Sequence, residues 1–300
     1  MHSPSLGGLL TNDGETPAGT PRVAGRFDGN QLLVPLLTRE LPALTDQLKV
    51  ATTLARVTGA SLTVINPVCT PSQAPREYRH EVSDSDEVDL LEWVFDQTAE
   101  SLPRVDGTCV YTRSVVTGVV QAVRTRNVDT LVVPGGVRTG RLRTSITERI
   151  AAHADADVVI VNGGQAGFED PASILLPIAG GPHSGLAADI AASIATGSDA
   201  WIDILHVLDD DAPDHQRDSA EELTEDISRR IDRPDTTTSW LLETTETIET
   251  IVDQSRCYDL TIIGAPTKGR LQKFIFGSTA QSVRKNAGSV VLSARSNSPR

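Results

Sequence analysis

The chain repeats itself, and that repeat limits its fold more than any other feature of the sequence. Residues 32–37 read LLVPLL and residues 174–178 read ILLPI. Setting Val34-Pro35 on Leu176-Pro177 gives an offset of 142 residues. Three further apolar runs recur in the same order. Ser61–Val68 (SLTVINPV) answers Trp201–Leu208 (WIDILHVL), and Asp129–Gly136 (DTLVVPGG) answers Asp259–Pro266 (DLTIIGAP). Asp157–Asn162 (DVVIVN) answers Ser289–Ala294 (SVVLSA). The runs are short, β-branched and apolar on both faces, as strands of a doubly covered parallel sheet are.

Segments with helical spacing lie between the runs. Leu48, Ala51, Leu54 and Ala55 share one face, and Leu186, Ile190, Ala191 and Ile194 repeat the pattern. Gly59 and Gly197 stand where C-terminal caps are expected. A helix is predicted over 87–101 with Val88, Leu91, Val94 and Phe95 inward, and its counterpart over 220–231. Strand–helix alternation with right-handed crossovers predicts an α/β chain of two tandem, doubly wound parallel-sheet domains. The expected division is a disordered leader at 1–29, domains at 30–163 and 171–296, and a linker at 164–170 within NGGQAGFEDP. Residues 209–218 (DDDAPDHQRD) read as an acidic surface loop, without EF-hand spacing.

Charge narrows the function. Lysine and arginine total 27 against 40 acidic residues, for a formal charge of -13. That balance argues against general nucleic-acid or membrane-surface binding. No run of 18 apolar residues or signal-peptide pattern is present, so a cytoplasmic protein without membrane insertion is expected. Cys69, Cys109 and Cys257 fit neither a disulfide framework nor a zinc spacing and read as free thiols. Of the basic residues 4 are lysine and 23 arginine, and aspartate outnumbers glutamate 25 to 15. Sparse lysine with abundant aspartate suits a halophilic proteome; an arginine-favouring codon bias is the other reading.

The segment 262–286, IIGAPTKGRLQKFIFGSTAQSVRKN, carries the chemistry. It begins at the carboxyl end of a predicted strand, where ligands bind in doubly wound sheets. Gly264, Gly269 and Gly277 allow close backbone approach. Ser278 and Thr279 open a new helical pattern whose free N–H groups favour an anion. After Asp259 the chain has no acidic residue, and three of its four lysines, including Lys268, fall there. Charge and glycines together indicate a phosphate site.

This segment resembles the universal stress protein family, which binds ATP phosphates and ribose through G-x2-G-x9-G-[ST] after its fourth strand. Gly264, Thr267 and Gly277-Ser278 occupy those positions here, with threonine in place of the second glycine and Gly269 two residues later. The family also has a tandem form, and the resemblance covers residues 30–163 and 171–296. It implies five-stranded sheets whose fifth strand pairs across a dimer, here within one chain as a pseudo-dimer or between two chains. It implies a non-catalytic stress-response protein binding ATP or AMP, with Mg possible. Its sites would be Ile178, Ala179, Gly180, Val207, Gly264, Thr267, Lys268, Gly269, Arg270, Gly277, Ser278 and Thr279.

The pattern has departures. Ala179 stands where the family often has an aspartate on the adenine side. His206-Val207 matches the position whose backbone meets adenine, with His206 itself read as structural. In the first copy Gly135 and Gly140 match Gly264 and Gly269, but four residues are then missing and Thr144 replaces the key glycine. That copy reads as degenerate, with Arg138, Arg141 and Arg143 as a residual anion site.

Two rivals remain. Ala179–Ser184 (AGGPHS) is similar to the S-G-G-x-D-S loop of ATP pyrophosphatases, with alanine for the first serine and His183 for the aspartate. The chain also resembles the cytoplasmic regulatory domains of amino-acid permeases, which implies a transporter or other protein partner and no nucleotide.

Overall fold

The computed structural model describes residues 30–70, 85–102, 104–137, 145–164, 167–265 and 289–297. Among these described residues ten strands form one sheet in the order β3-β2-β1-β4-β5-β10-β9-β6-β7-β8. The first half supplies β1 (Gln31–Pro35), β2 (Ser61–Cys69), β3 (Val105–Thr112), β4 (Thr130–Pro134) and β5 (Asp157–Asn162). The second supplies β6 (Ser173–Pro177), β7 (Trp201–Leu208), β8 (Thr237–Glu243), β9 (Leu260–Gly264) and β10 (Val290–Arg295). Each half has the same internal order, and every pair within it is parallel.

The halves meet through β5 and β10, which run antiparallel with Leu292 opposite Val161 and Arg295 opposite Val158. The pairing expected across a dimer is therefore internal to the chain. Antiparallel pairing at that one junction relates the halves by a pseudo-twofold axis.

The described helices are α1 (Leu41–Thr58), α2 (Ser85–Thr98), α3 (Val115–Thr125), α4 (Ile146–His153), α5 (Gly181–Ser198), α6 (Asp214–Ile231) and α7 (Thr247–Ser255). On one face, α1, α2, α5 and α6 cover a single core that runs through both halves. It contains Leu32, Val34, Leu44 and Leu54 from the first and Leu176, Leu186, Ile190 and Ile202 from the second. Helices α1 and α5 pack on each other across the junction. A Cβ on Gly197 would lie 3.0 Å from Cγ2 of Val57, so the missing side chain sets how closely they approach. The other face holds a separate core of the first half under α3 and α4, with Leu33, Val119, Leu131 and Ile150, which also reaches Ile263 and Val291.

The repeat shows at the strand starts. Asp129 Oδ2 accepts the N–H groups of Asn30 and Gln31 at 3.0 and 2.9 Å, ahead of β1. Asp259 Oδ2 accepts those of Ala172 and Ser173 at 2.9 and 3.0 Å, ahead of β6.

Several expectations are corrected. Both edge strands, β3 and β8, went unread: they are half-exposed, and VDGTCVYT and TTSWLLE lack a continuous apolar run. Helix α6 begins at Asp214, inside the predicted acidic loop, because Ala220, Leu223, Ile227 and Ile231 give it one buried stripe while its acidic residues face water. Gly197 lies within α5, and Asp199, at φ 56°, takes the left-handed cap position. Val88 is exposed, whereas Leu91 and Val94 are buried. The predicted leader lies outside the described residues. The linker is anchored: Phe168 is buried and its N–H donates to Asp46 at 2.7 Å. None of the three cysteines forms a disulfide.

Candidate functional site

The site grows from the turn between β6 and α5. Ile178 continues the sheet by donating its N–H to Leu205 O at 2.9 Å. Gly180 and Gly181 then take φ of 80° and 76°, a left-handed pair that a side chain would strain. Helix α5 starts at once, with Pro182 in its first turn, where a missing N–H costs nothing. Ser184 closes the turn. Its hydroxyl accepts from Ala179 N at 3.2 Å and donates to Gly180 O at 2.9 Å.

Neighbouring strand ends are tied to this turn. Gly264 ends β9 so close to α5 that an added Cβ would lie 2.9 Å from the His183 carbonyl carbon and from Ser184 N. His206, near the end of β7, donates from Nδ1 to Ile178 O at 2.9 Å, since a carbonyl only accepts. Burial lowers its pKa from the usual value, against a smaller opposing effect of that hydrogen bond, and so favours the neutral ring. His183 does the reverse: its Nδ1 accepts the Ser296 N–H at 3.0 Å, which puts the neutral ring's proton on Nε2.

The end of β10 joins the site to the first half. Asn297 N–H donates to Asp157 Oδ1 at 2.6 Å, and Arg295 Nη1 donates to Ala151 O at the end of α4. Burial is the main cause that raises the Asp157 pKa, with its hydrogen bonds to Asn297 and Ser296 acting the other way.

These elements enclose a cavity of about 620 Å³ at the carboxyl ends of β6, β7, β9 and β10. Ile178, Ala179, Gly180, Val207 and Gly264 all line it. Thr267, Lys268, Gly269, Arg270, Gly277, Ser278 and Thr279 lie outside the described residues. Sequence reasoning missed the wall that the first half contributes, Ala151–Ala156, and the β10 end, Arg295–Asn297. The available signal was the expected pairing of fifth strands, which sets the start of β5 beside the end of β10. Among the described residues, no group of three His, Cys, Asp or Glu is placed to hold a metal ion.

The first half differs at the matching place. Gln47 Nε2 donates to Pro35 O and Val132 O at 3.0 and 2.9 Å, and Thr147 Oγ1 donates to Pro134 O at 2.7 Å. The Asn162 side chain covers Gly135, with Oδ1 only 1.8 Å from where a Cβ would stand. Arg138, Gly140, Arg141, Arg143 and Thr144 lie outside the described residues. Ser145 caps α4 in a reciprocal box with Glu148.

Residues 172–295 match the model of the universal stress protein family. The second half of this chain belongs to that family. No curated protein matches the chain in sequence. A universal stress protein from Archaeoglobus fulgidus DSM 4304 superposes with a TM-score of 0.55 at 11% identity, covering 90% of this chain and 97% of that one. The cytoplasmic domain of a prokaryotic cation chloride cotransporter superposes with a TM-score of 0.59 at 16% identity, covering 90% and 96%. At these identities the likeness is one of fold, and it extends the universal stress fold over both halves. No described helix is long and apolar enough to cross a membrane.

Proposed function

We propose that the chain is a non-catalytic regulatory protein that binds one adenine nucleotide in its second half. The observation that carries this reading is the gathering of Ile178, Ala179, Gly180, Val207 and Gly264 around one cavity at the carboxyl ends of the strands. In this reading the base lies by Val207 and the Ile178–Gly180 turn. The phosphates lie over the loop after Gly264, held by Thr267, Lys268, Gly269, Arg270, Gly277, Ser278 and Thr279, with Mg as a companion ion. The first half is structural: its own side chains Gln47, Thr147 and Asn162 cap the matching strand ends. Ser184 and the Nδ1 atom of His183 hold backbone, which favours binding over turnover. Binding stabilises the folded chain and alters its affinity for a partner.

Calorimetric titration with ATP, ADP and AMP, with Mg and in both ordinary buffer and molar KCl, tests this. The expected result is one site per chain, lost in Gly277→Val. Two sites would overturn the asymmetry.

A second reading is a regulatory module that binds no nucleotide and acts through a transporter or other protein. Ala179, which offers no carboxylate at the base end, favours it, as does the fold shared with a transporter's cytoplasmic domain. No binding at millimolar nucleotide would select it.

A further inference from the structure

The cavity crosses the junction between the halves. Its lining follows the sheet from the end of β7 through β6 and β9 to β10, and then passes to the end of α4 and the start of β5. At about 4.8 Å per strand, β7 to β10 spans roughly 14 Å. A nucleotide with its base by β7 and its phosphates by β9 leaves the far compartment, beyond β10, unused.

That compartment has a character of its own. The first half walls it with Ala151, Ala152, Ala154 and Ala156, small side chains that leave room. The carboxyl end of α4 faces the same space, a setting that disfavours negative charge, and Asp155 there is already paired with Arg124 at 2.7 Å. The Arg295 guanidinium there donates to Ala151 O and so binds wall to wall. Phosphate therefore belongs near β9, and an uncharged group belongs beyond it.

We infer that the cavity is a composite site whose second compartment, built by the first half, takes an uncharged group carried on the phosphate side of a bound nucleotide. The ligand class is a two-ended nucleotide, such as a dinucleotide. This rests on the nucleotide reading given under Proposed function. It gives the first half a part in recognition although its own strand ends are capped.

The test compares ADP with diadenosine diphosphate on the full chain, by calorimetry, in the unchanged protein and in Ala152→Trp. Ala152 is exposed on α4, so the change fills the compartment without entering the core. Ala152→Met is the smaller second variant, and thermal melting checks that both fold. The expected result is that diadenosine diphosphate binds at least about tenfold more tightly than ADP. Ala152→Trp removes that gain and leaves ADP binding within about twofold, and Ala152→Met removes part of it. If ADP binds and the second adenosine adds nothing, or both variants keep the gain, this inference is overturned and the nucleotide reading stands. If neither ligand binds the unchanged chain, the nucleotide reading falls and takes the inference with it.

Discussion

Arg230 of α6 grips Asp189 of α5 with two parallel hydrogen bonds, Nε to Oδ1 and Nη2 to Oδ2, both 2.6 Å long. The side chains are only 12% and 7% exposed, so the pair is effectively interior. Removing one partner takes both of these hydrogen bonds from a charge held in the interior, which costs about 3–5 kcal/mol, whereas replacing both by apolar groups is often neutral. Urea unfolding is expected to show Arg230→Met destabilised by about 3 kcal/mol or more. The double variant Asp189→Leu/Arg230→Met should recover most of the loss. A double variant no better than the single one would mean that the pair is not the source.

Gly264→Ala tests the approach of β9 to α5. Its Cβ would meet backbone rather than a movable side chain, so the helix start has to shift. We expect a loss of about 1–3 kcal/mol, with weaker nucleotide binding because the Ala179–Ser184 turn moves too. Melting temperature and calorimetry on one preparation read both effects.

His206 makes stability depend on pH. Its pKa in the fold lies below the ordinary 6.5, so between those values the unfolded chain holds the proton more readily. The stability contribution is complete above 6.5 and is lost as pH falls through that window. His206→Gln retains a donor for Ile178 O and cannot titrate. Its melting temperature should fall less than the parent's between neutral pH and the acid end of the window. Parallel curves would exclude His206 as the cause.

Asp157 works in the opposite sense. Burial raises its pKa above 3.8 in the fold, so the folded chain holds the proton more readily. Stability from this group is therefore present at low pH and lost as pH rises through the raised value. Asp157→Asn keeps an acceptor for the Asn297 N–H and removes the buried charge. It should melt higher than the parent at neutral pH, with a smaller difference in acid. A lower melting temperature at neutral pH would show that the ionised carboxylate stabilises the junction.

Asp129 and Asp259 supply a matched pair. Each carboxylate accepts two backbone N–H groups at the start of a first strand. Alanine at either position should cost about 1–3 kcal/mol, as hydrogen bonds to charged groups do. Similar losses from the two variants would establish the repeat energetically, and a loss at only one would show that the halves have diverged there.

The central strands were legible because burial on both faces leaves one signature, a continuous β-branched run such as DVVIVN. The edge strands β3 and β8 were not, because water on one side admits Asp106, Thr238 and Ser239, and the Phe95 ring leaves no room for a side chain at Gly107. Helix α6 was shortened because its first turns are almost wholly polar and only Ala220 onward shows the apolar spacing. At the site, Ile178–Gly180, Val207 and Gly264 could be found from glycines and strand ends, which are local features. The alanine wall could not, since AAHADA carries no chemical signal until β5 is set against β10. His183 read as a helix-start residue, and its partner Ser296, 113 residues away, is visible only in three dimensions.

Strand β10 is the last of the ten to leave the ribosome, yet it takes the sixth place across the sheet. Until it is made, β5 and β9 both wait with open edges, the kind of edge that recruits other chains. The sheet cannot close before β10 emerges, however well the first half has already packed. A premature stop or a proteolytic cut before Val290 would therefore do more than trim the protein. It would release two unfinished half-sheets, each templated for pairing with a neighbouring molecule.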